Sequence, residues 1–261
     1  MTCYEFRSAP ARLMSSLAAL LTIAVACLTL GCNGGGRSER DPQEDSAGSE
    51  SPTRPAREEA PARAENQPAT SAQPAPAPLR ITDIGDNNPN LLVAIGDSIT
   101  AGSDVSGPSY PARLSGILGK TVQNRGVPGA MSSAAGGQAN GSLSSKPGFL
   151  LIMFGTNDVF KEVPPDSVAA NLRAAVEAAR ANRTIPVVAT LPPNLRSDFQ
   201  QGIVNSYNSR IRSMAGSSGA RVADVAREFG PGTGLIQDDG YHPNEQGTAV
   251  VAFTFANAVR R

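Results

Sequence analysis

The chain has 261 residues, and its 23 Lys and Arg are balanced by 23 Asp and Glu, so no basic cluster invites a nucleic-acid partner. Aromatic residues make up only 5% and Trp is absent, which removes the usual stacking platforms for single strands or sugars. The length suits one sizeable α/β domain or two small ones.

All three cysteines, Cys3, Cys27 and Cys32, fall at the N-terminus. The rest of the chain therefore offers no disulfide, no thiolate nucleophile and no Cys-ligated zinc site. Arg7 and Arg12 precede an apolar run from Leu17 to Leu30, followed by Gly31-Cys32. A basic start, an apolar middle and small residues at the end make a secretory signal, and the run is shorter than the about 20 residues that span a bilayer. Leu28-Thr29-Leu30-Gly31-Cys32 resembles a bacterial lipobox, with Cys32 as the lipidated residue. Thr29 stands where such boxes usually carry Leu, and Ala24-Val25-Ala26-Cys27 is a poorer second match. The expectation is an exported bacterial lipoprotein, held at the periplasmic face of a membrane or at the cell surface.

From Asn33 to Pro78 the sequence is Gly, Ser, Pro, Ala, Glu and Arg with almost no large apolar residue. Such a composition cannot bury enough surface to offset chain entropy, so residues 33–80 are expected to form a disordered linker. At roughly 3 Å per residue it could reach on the order of 100 Å when stretched. A folded domain over 81–261 is expected to follow.

Leu91 to Ile95, Phe149 to Phe154 and Ile185 to Leu191 are short apolar runs of the kind that form strands buried on both faces. Thr121 to Asn124 and Ala220 to Val225 are weaker strands. Helical stripes run through Val168, Leu172, Ala175, Val176 and Ala179, and through Ile203, Tyr207, Ile211 and Met214 up to Gly216. Tyr110 to Leu118 and Glu245 to Val259 read as helices too, whereas the Gly- and Ser-rich stretch Gly136 to Lys146 takes no assignment. Strands alternating with helices predict a three-layer α/β/α sandwich around a parallel sheet of about five strands. In such sheets ligands bind beyond the carboxyl ends of the strands, and three polar motifs fall there.

The first is Gly96-Asp97-Ser98-Ile99, a strand-to-helix turn able to project the Ser98 hydroxyl beside backbone N–H groups. It is not the Gly-x-Ser-x-Gly elbow, since the next glycine is Gly102, and a helix-capping serine would look the same. The second is Gly155-Thr156-Asn157-Asp158, where an uncharged amide suits a developing negative oxygen, or simply a turn. The third is Asp239-Gly240-Tyr241-His242, which holds the only histidine of the chain. There Asp239 can orient the imidazole, with Asp238 as the runner-up. Asp97 and Asp158 read as turn-holding residues, and the sequence offers no cluster of metal ligands.

Taken in order, these blocks, together with Asn124-Arg125-Gly126-Val127-Pro128-Gly129, resemble the SGNH hydrolases, the GDSL-type esterases and lipases. The resemblance runs from about Leu91 to the C-terminus and is nearest the compact thioesterase I, lysophospholipase and arylesterase branch; Ile99 departs from the usual Leu. It implies the flavodoxin-like fold of that family. It also implies Ser98 as nucleophile, His242 as general base and Asp239 as its orienting carboxylate. The backbone N–H groups of Ser98 and Gly129 and the Asn157 amide would form the oxyanion hole, with Gly126 as the alternative to Gly129. The expected function is hydrolysis of carboxylic esters through an acyl-enzyme, by a monomer needing no cofactor and acting on a small ester or acyl lipid. Rival readings are a carbohydrate O-acetylesterase acting on envelope polysaccharide and a tethered surface-binding lipoprotein without catalysis.

Overall fold

The computed structural model describes residues 82–103, 105–231 and 234–261. The expected leader, Cys32 and the linker over 33–80 lie outside the described residues.

Five parallel strands form one sheet: β1 (Asn88–Gly96), β2 (Thr121–Gly126), β3 (Pro147–Met153), β4 (Ile185–Ala189) and β5 (Arg221–Ala223), in the order β2-β1-β3-β4-β5. The apolar runs form its centre because both faces are covered. In β1, Val93 and Ile95 point to one side with Leu150 and Ile152 of β3, whereas Leu92 and Ala94 point to the other with Leu151 and Met153. The first side is closed by α3 (Ala135–Leu143), α5 (Pro165–Ala181) and α6 (Asp198–Ser218). The second is closed by α2 (Tyr110–Leu118), α7 (Val225–Phe229) and α8 (Glu245–Arg260). Each large aliphatic side chain so buried contributes about 1.5–3 kcal/mol relative to exposure. Two single-turn helices, α1 (Ser98–Ala101) and α4 (Thr156–Val159), start where β1 and β3 end.

The structure differs from the sequence expectations at a few places. α6 does not stop at Gly216 but runs to Ser218, because Met214, Ala215 and Ser218 still face the core and Gly219 supplies the left-handed cap at φ 72°. The unassigned Gly/Ser stretch Gly136 to Lys146 falls largely in α3, which follows a 3₁₀ turn at Ser132–Ala134. Its buried stripe is Ala135, Ala139 and Leu143, and its small residues let it lie close against α5, where a Cβ on Gly136 would meet the Ala174 methyl at 3.6 Å. The last strand is shorter than expected, since Asp224 ends it and α7 begins at Val225.

The chain leaves β1 to form β2 on one side, then crosses back to form β3 on the other. Gly96 lies level with Gly126 and with Met153 in the register, so the three strands end together at one edge. This reversal opens a crevice between the loops after β1 and β3, the position where ligands bind in open parallel sheets.

Candidate active site

Ser98 is the first residue of α1, directly after the N-cap Asp97, whose Oδ1 accepts the Ile99 N–H at 3.0 Å. The first N–H groups of a helix have no carbonyl partner within it, and that of Ser98 makes no hydrogen bond among the described residues. Asp97 is fully buried and its Oδ2 has no hydrogen-bond partner. Burial drives its pKa up to about 7, against the lowering effects of the Ile99 N–H and of His242.

Residues Leu235 to Asn244 form a hairpin-like loop. Ile236 bridges Pro243, the Gln237 N–H binds the His242 carbonyl at 2.8 Å, and the Asn244 N–H binds the Leu235 carbonyl at 2.9 Å. Gly240 makes the turn at φ 85°. The loop holds His242 largely buried, with Nε2 2.8 Å from Ser98 Oγ and Nδ1 2.6 Å from Asp239 Oδ2. Asp239 Oδ1 accepts the backbone N–H groups of Tyr241 and His242, each at 3.0 Å. Partial burial acts to raise the Asp239 pKa, but these two donors and the imidazole outweigh it and hold the carboxyl below its usual range. An ionised carboxylate can only accept, so Nδ1 carries the proton and Nε2 of the neutral ring is the acceptor for the Ser98 hydroxyl. The pairing carboxylate is Asp239; the exposed Asp238 makes no bond to the ring among the described residues.

On the opposite wall, Val127-Pro128-Gly129-Ala130 is a tight turn closed by the Ala130 N–H on the Val127 carbonyl at 3.0 Å. Pro at its second position and Gly129 at φ 76° suit a type II turn. Gly126 and Gly129 have different surroundings. The Gly126 N–H is already bound by Asn124 Oδ1 at 2.9 Å, and a Cβ there would lie 2.2 Å from the Ala101 nitrogen. Gly126 is therefore the close contact that lets α1 approach β2. No hydrogen bond occupies the Gly129 N–H among the described residues. Asn157, in α4, donates one amide hydrogen to the Ala130 carbonyl at 2.9 Å, which fixes the amide, and its second hydrogen has no partner among the described residues. Asp158 is buried and binds Ser132, so it holds the turn as expected.

The partly open cavity that touches both Ser98 and His242 is lined by Ile99, Gly102, Val105 and Thr248 and has room for roughly one water. Among the described residues no group of three or more His, Cys, Asp or Glu could hold a metal ion. A hydroxyl bound to an imidazole that is in turn paired with a carboxylate, with N–H donors on the neighbouring loops, forms a set able to carry out acyl transfer.

Residues 94–250 match the family of GDSL-like lipases and acylhydrolases. The chain belongs to that family. Membership makes it an ester-hydrolysing enzyme, and the matched segment contains every block described above. Solved structures with the same fold include a G-D-S-L family protein from Desulfitobacterium hafniense DCB-2, with 25% identity, TM-score 0.58, and coverage of 65% of this chain and 99% of that one. An α/β hydrolase from the metagenome of Lake Arreo, Spain, has 24% identity, TM-score 0.57 and coverage of 67% and 96%. An acetyl xylan esterase from Geobacillus stearothermophilus has 20% identity, TM-score 0.58 and coverage of 66% and 95%. No curated protein matches the chain significantly.

Sequence reasoning missed a cluster beside the histidine. The Arg196 guanidinium sits over the rings of Phe160 and Tyr241, at 5.5 and 5.8 Å, and Tyr241 packs on His242 with ring centroids 4.2 Å apart. These residues come from three separate loops and share no local pattern, so only the fold brings them together.

Proposed function

We propose that this GDSL-family enzyme is a serine esterase working through an acyl-enzyme. The observation that carries the reading is the continuous chain from Ser98 Oγ to His242 Nε2, at 2.8 Å, and from His242 Nδ1 to Asp239 Oδ2, at 2.6 Å. His242 Nε2 takes the Ser98 proton as Oγ bonds to the ester carbonyl carbon. The carbonyl oxygen becomes an oxyanion facing the N–H groups of Ser98 and Gly129 and the Asn157 amide. Collapse breaks the bond to the alcohol oxygen, which leaves with the proton from His242. Water then gives its proton to His242 and attacks the acyl-enzyme, and the acid departs as Ser98 regains its hydrogen. A fluorophosphonate probe should label the enzyme at Ser98. Equal labelling of the Ser98→Ala protein would overturn the scheme.

A second reading, favoured by the small cavity at Ser98, is that the acyl group is acetyl-sized, as for an O-acetylesterase of carbohydrate. The space that reaches both Ser98 and His242 has room for roughly one water, which suits a short acyl group better than a long chain. One protein of similar fold is an acetyl xylan esterase. Across p-nitrophenyl esters of increasing chain length, kcat/KM should peak at acetate to butyrate. A peak at octanoate or beyond would favour the lysophospholipase or thioesterase reading.

For the compartment, the lipobox-like Leu28-Thr29-Leu30-Gly31-Cys32 supports an exported enzyme anchored through a lipid on Cys32. Incorporation of labelled palmitate that survives Cys32→Ala would refute the anchor.

A further inference from the structure

We propose that Arg196 is a recognition site for an anionic group, carboxylate or phosphate, on the ester substrate; this rests on the esterase reading above. Arg113, Arg183, Arg210, Arg212 and Arg227 are each paired with a carboxylate. Arg125 and Arg196 have no such partner and no side-chain hydrogen bond among the described residues, and of these two only Arg196 lies against aromatic rings beside His242. Arg196 is exposed.

It is nevertheless held in place. The Leu195 N–H binds the Gly240 carbonyl at 2.7 Å, which ties this loop directly to the loop bearing Asp239 and His242. The Arg196 N–H binds Asn194 Oδ1 at 3.0 Å. The guanidinium then lies against two rings that meet edge to face, Phe160 and Tyr241, with centroids 4.9 Å apart. Aromatic faces hold a guanidinium by its plane and leave its N–H edges open. Those edges are the donors that bind a carboxylate or phosphate in bidentate fashion. Phe160 lies three residues after Asn157, and Tyr241 lies next to His242 and packs on its ring. The unpaired cation is thus one ring removed from the imidazole, and its position is set by the same loops that set the imidazole.

The charge could sit on either side of the scissile ester, and two substrate pairs separate the cases. For the alcohol side, 4-acetoxybenzoate is compared with its neutral methyl ester. For the acyl side, p-nitrophenyl hemisuccinate is compared with p-nitrophenyl butyrate. In one pair, Arg196→Gln should reduce kcat/KM for the anionic member by about tenfold, mainly through KM. The ratio of anionic to neutral should fall with it, Arg196→Lys should restore only part of the ratio because an ammonium keeps the charge but not the bidentate edge, and added salt should weaken it. A role limited to packing over Tyr241 would slow both members equally; that result, or no change in either ratio, overturns the proposal. Hydrolysis of the neutral esters by the unaltered enzyme tests the esterase reading separately. If it fails, calorimetric binding of 4-acetoxybenzoate and of hemisuccinate to the unaltered protein still decides. Binding of either that Arg196→Gln abolishes supports the site, and no binding or undiminished binding removes it.

Discussion

The buried carboxylate of Asp158 grips Ser132 twice, taking its backbone N–H at 2.8 Å and its hydroxyl at 2.6 Å. Ser132 lies three residues after Gly129, and Asp158 lies next to Asn157, so this pair fixes the two donor-bearing loops to each other. The Asn157 amide on the Ala130 carbonyl is a second tie between the same loops. Asp158→Ala would leave both Ser132 donors unpaired in a dry site, at about 2–4 kcal/mol. For a folded domain of this size, that lowers Tm by about 5–15 °C. Thermal unfolding with Ser132→Ala, Asp158→Ala and the double variant should show strong non-additivity. Additive losses would mean that the two residues stabilise the fold independently.

Asp97 makes a prediction with a definite sign. In the folded protein its carboxyl loses its proton only at about 7, against a reference of 3.8. Between those values the folded state holds a proton that the unfolded state has released, so this residue makes stability fall as pH rises from about 4 to 7. The interval corresponds to on the order of 4 kcal/mol. Asp83, Asp224 and Asp239 are held low and act in the opposite sense, losing their contribution only as pH falls into the acid range. Asp97→Asn keeps an acceptor for the Ile99 N–H but has no proton to release. Denaturant titrations at pH 4.5 and 7.5 should therefore show a difference between the unaltered and variant proteins that shrinks or reverses at the higher pH. A constant difference would place the Asp97 transition outside this window.

Asn157 is predicted to act on rate more than on binding. A fixed amide aimed at a developing oxyanion stabilises the transition state above the ground state, so Asn157→Ala should lower kcat by about 10²–10³ with a smaller change in KM. The same substitution removes the Ala130 tie, which Asn157→Ser would also break. Steady-state rates on p-nitrophenyl acetate, alongside melting curves, separate the two effects. A loss confined to Tm would show the amide to be a strut.

The central sheet could be read from the sequence because β1, β3 and β4 are buried on both faces and therefore appear as unbroken apolar runs. The helix α3 could not, since glycine and serine disfavour helix in isolation and only packing against α5 supplies the compensation. Ser98, Asp239 and His242 were visible because Gly-Asp-Ser and Asp-Gly-Tyr-His each concentrate their chemistry in a few consecutive positions. The contacts of Ser132 with Asp158 and of Arg196 with Phe160 and Tyr241 join distant segments by ordinary residue types. No local pattern announces such a contact, and it exists only once the loops after β2, β3 and β4 and the loop before α8 share one edge of the sheet.

The last prediction concerns the proton on His242. As an acceptor only, the Asp239 carboxylate compels Nδ1 to carry the hydrogen and leaves Nε2 open to Ser98. In Asp239→Asn the amide can instead donate to Nδ1, which puts the hydrogen on Nε2, where the ring can no longer take the serine proton. The expected loss in kcat is about 10³–10⁴. Fluorophosphonate labelling of Ser98 should slow in parallel, since it needs the same proton transfer. The fold should survive, because Asn Oδ1 can still accept from the Tyr241 and His242 N–H groups that shape the loop. Asp238→Asn serves as the control, since the exposed Asp238 makes no bond to the ring among the described residues. If Asp238→Asn lost the activity and Asp239→Asn kept it, the orienting carboxylate would be the neighbour, and the loop would have to rearrange during catalysis to bring it to Nδ1.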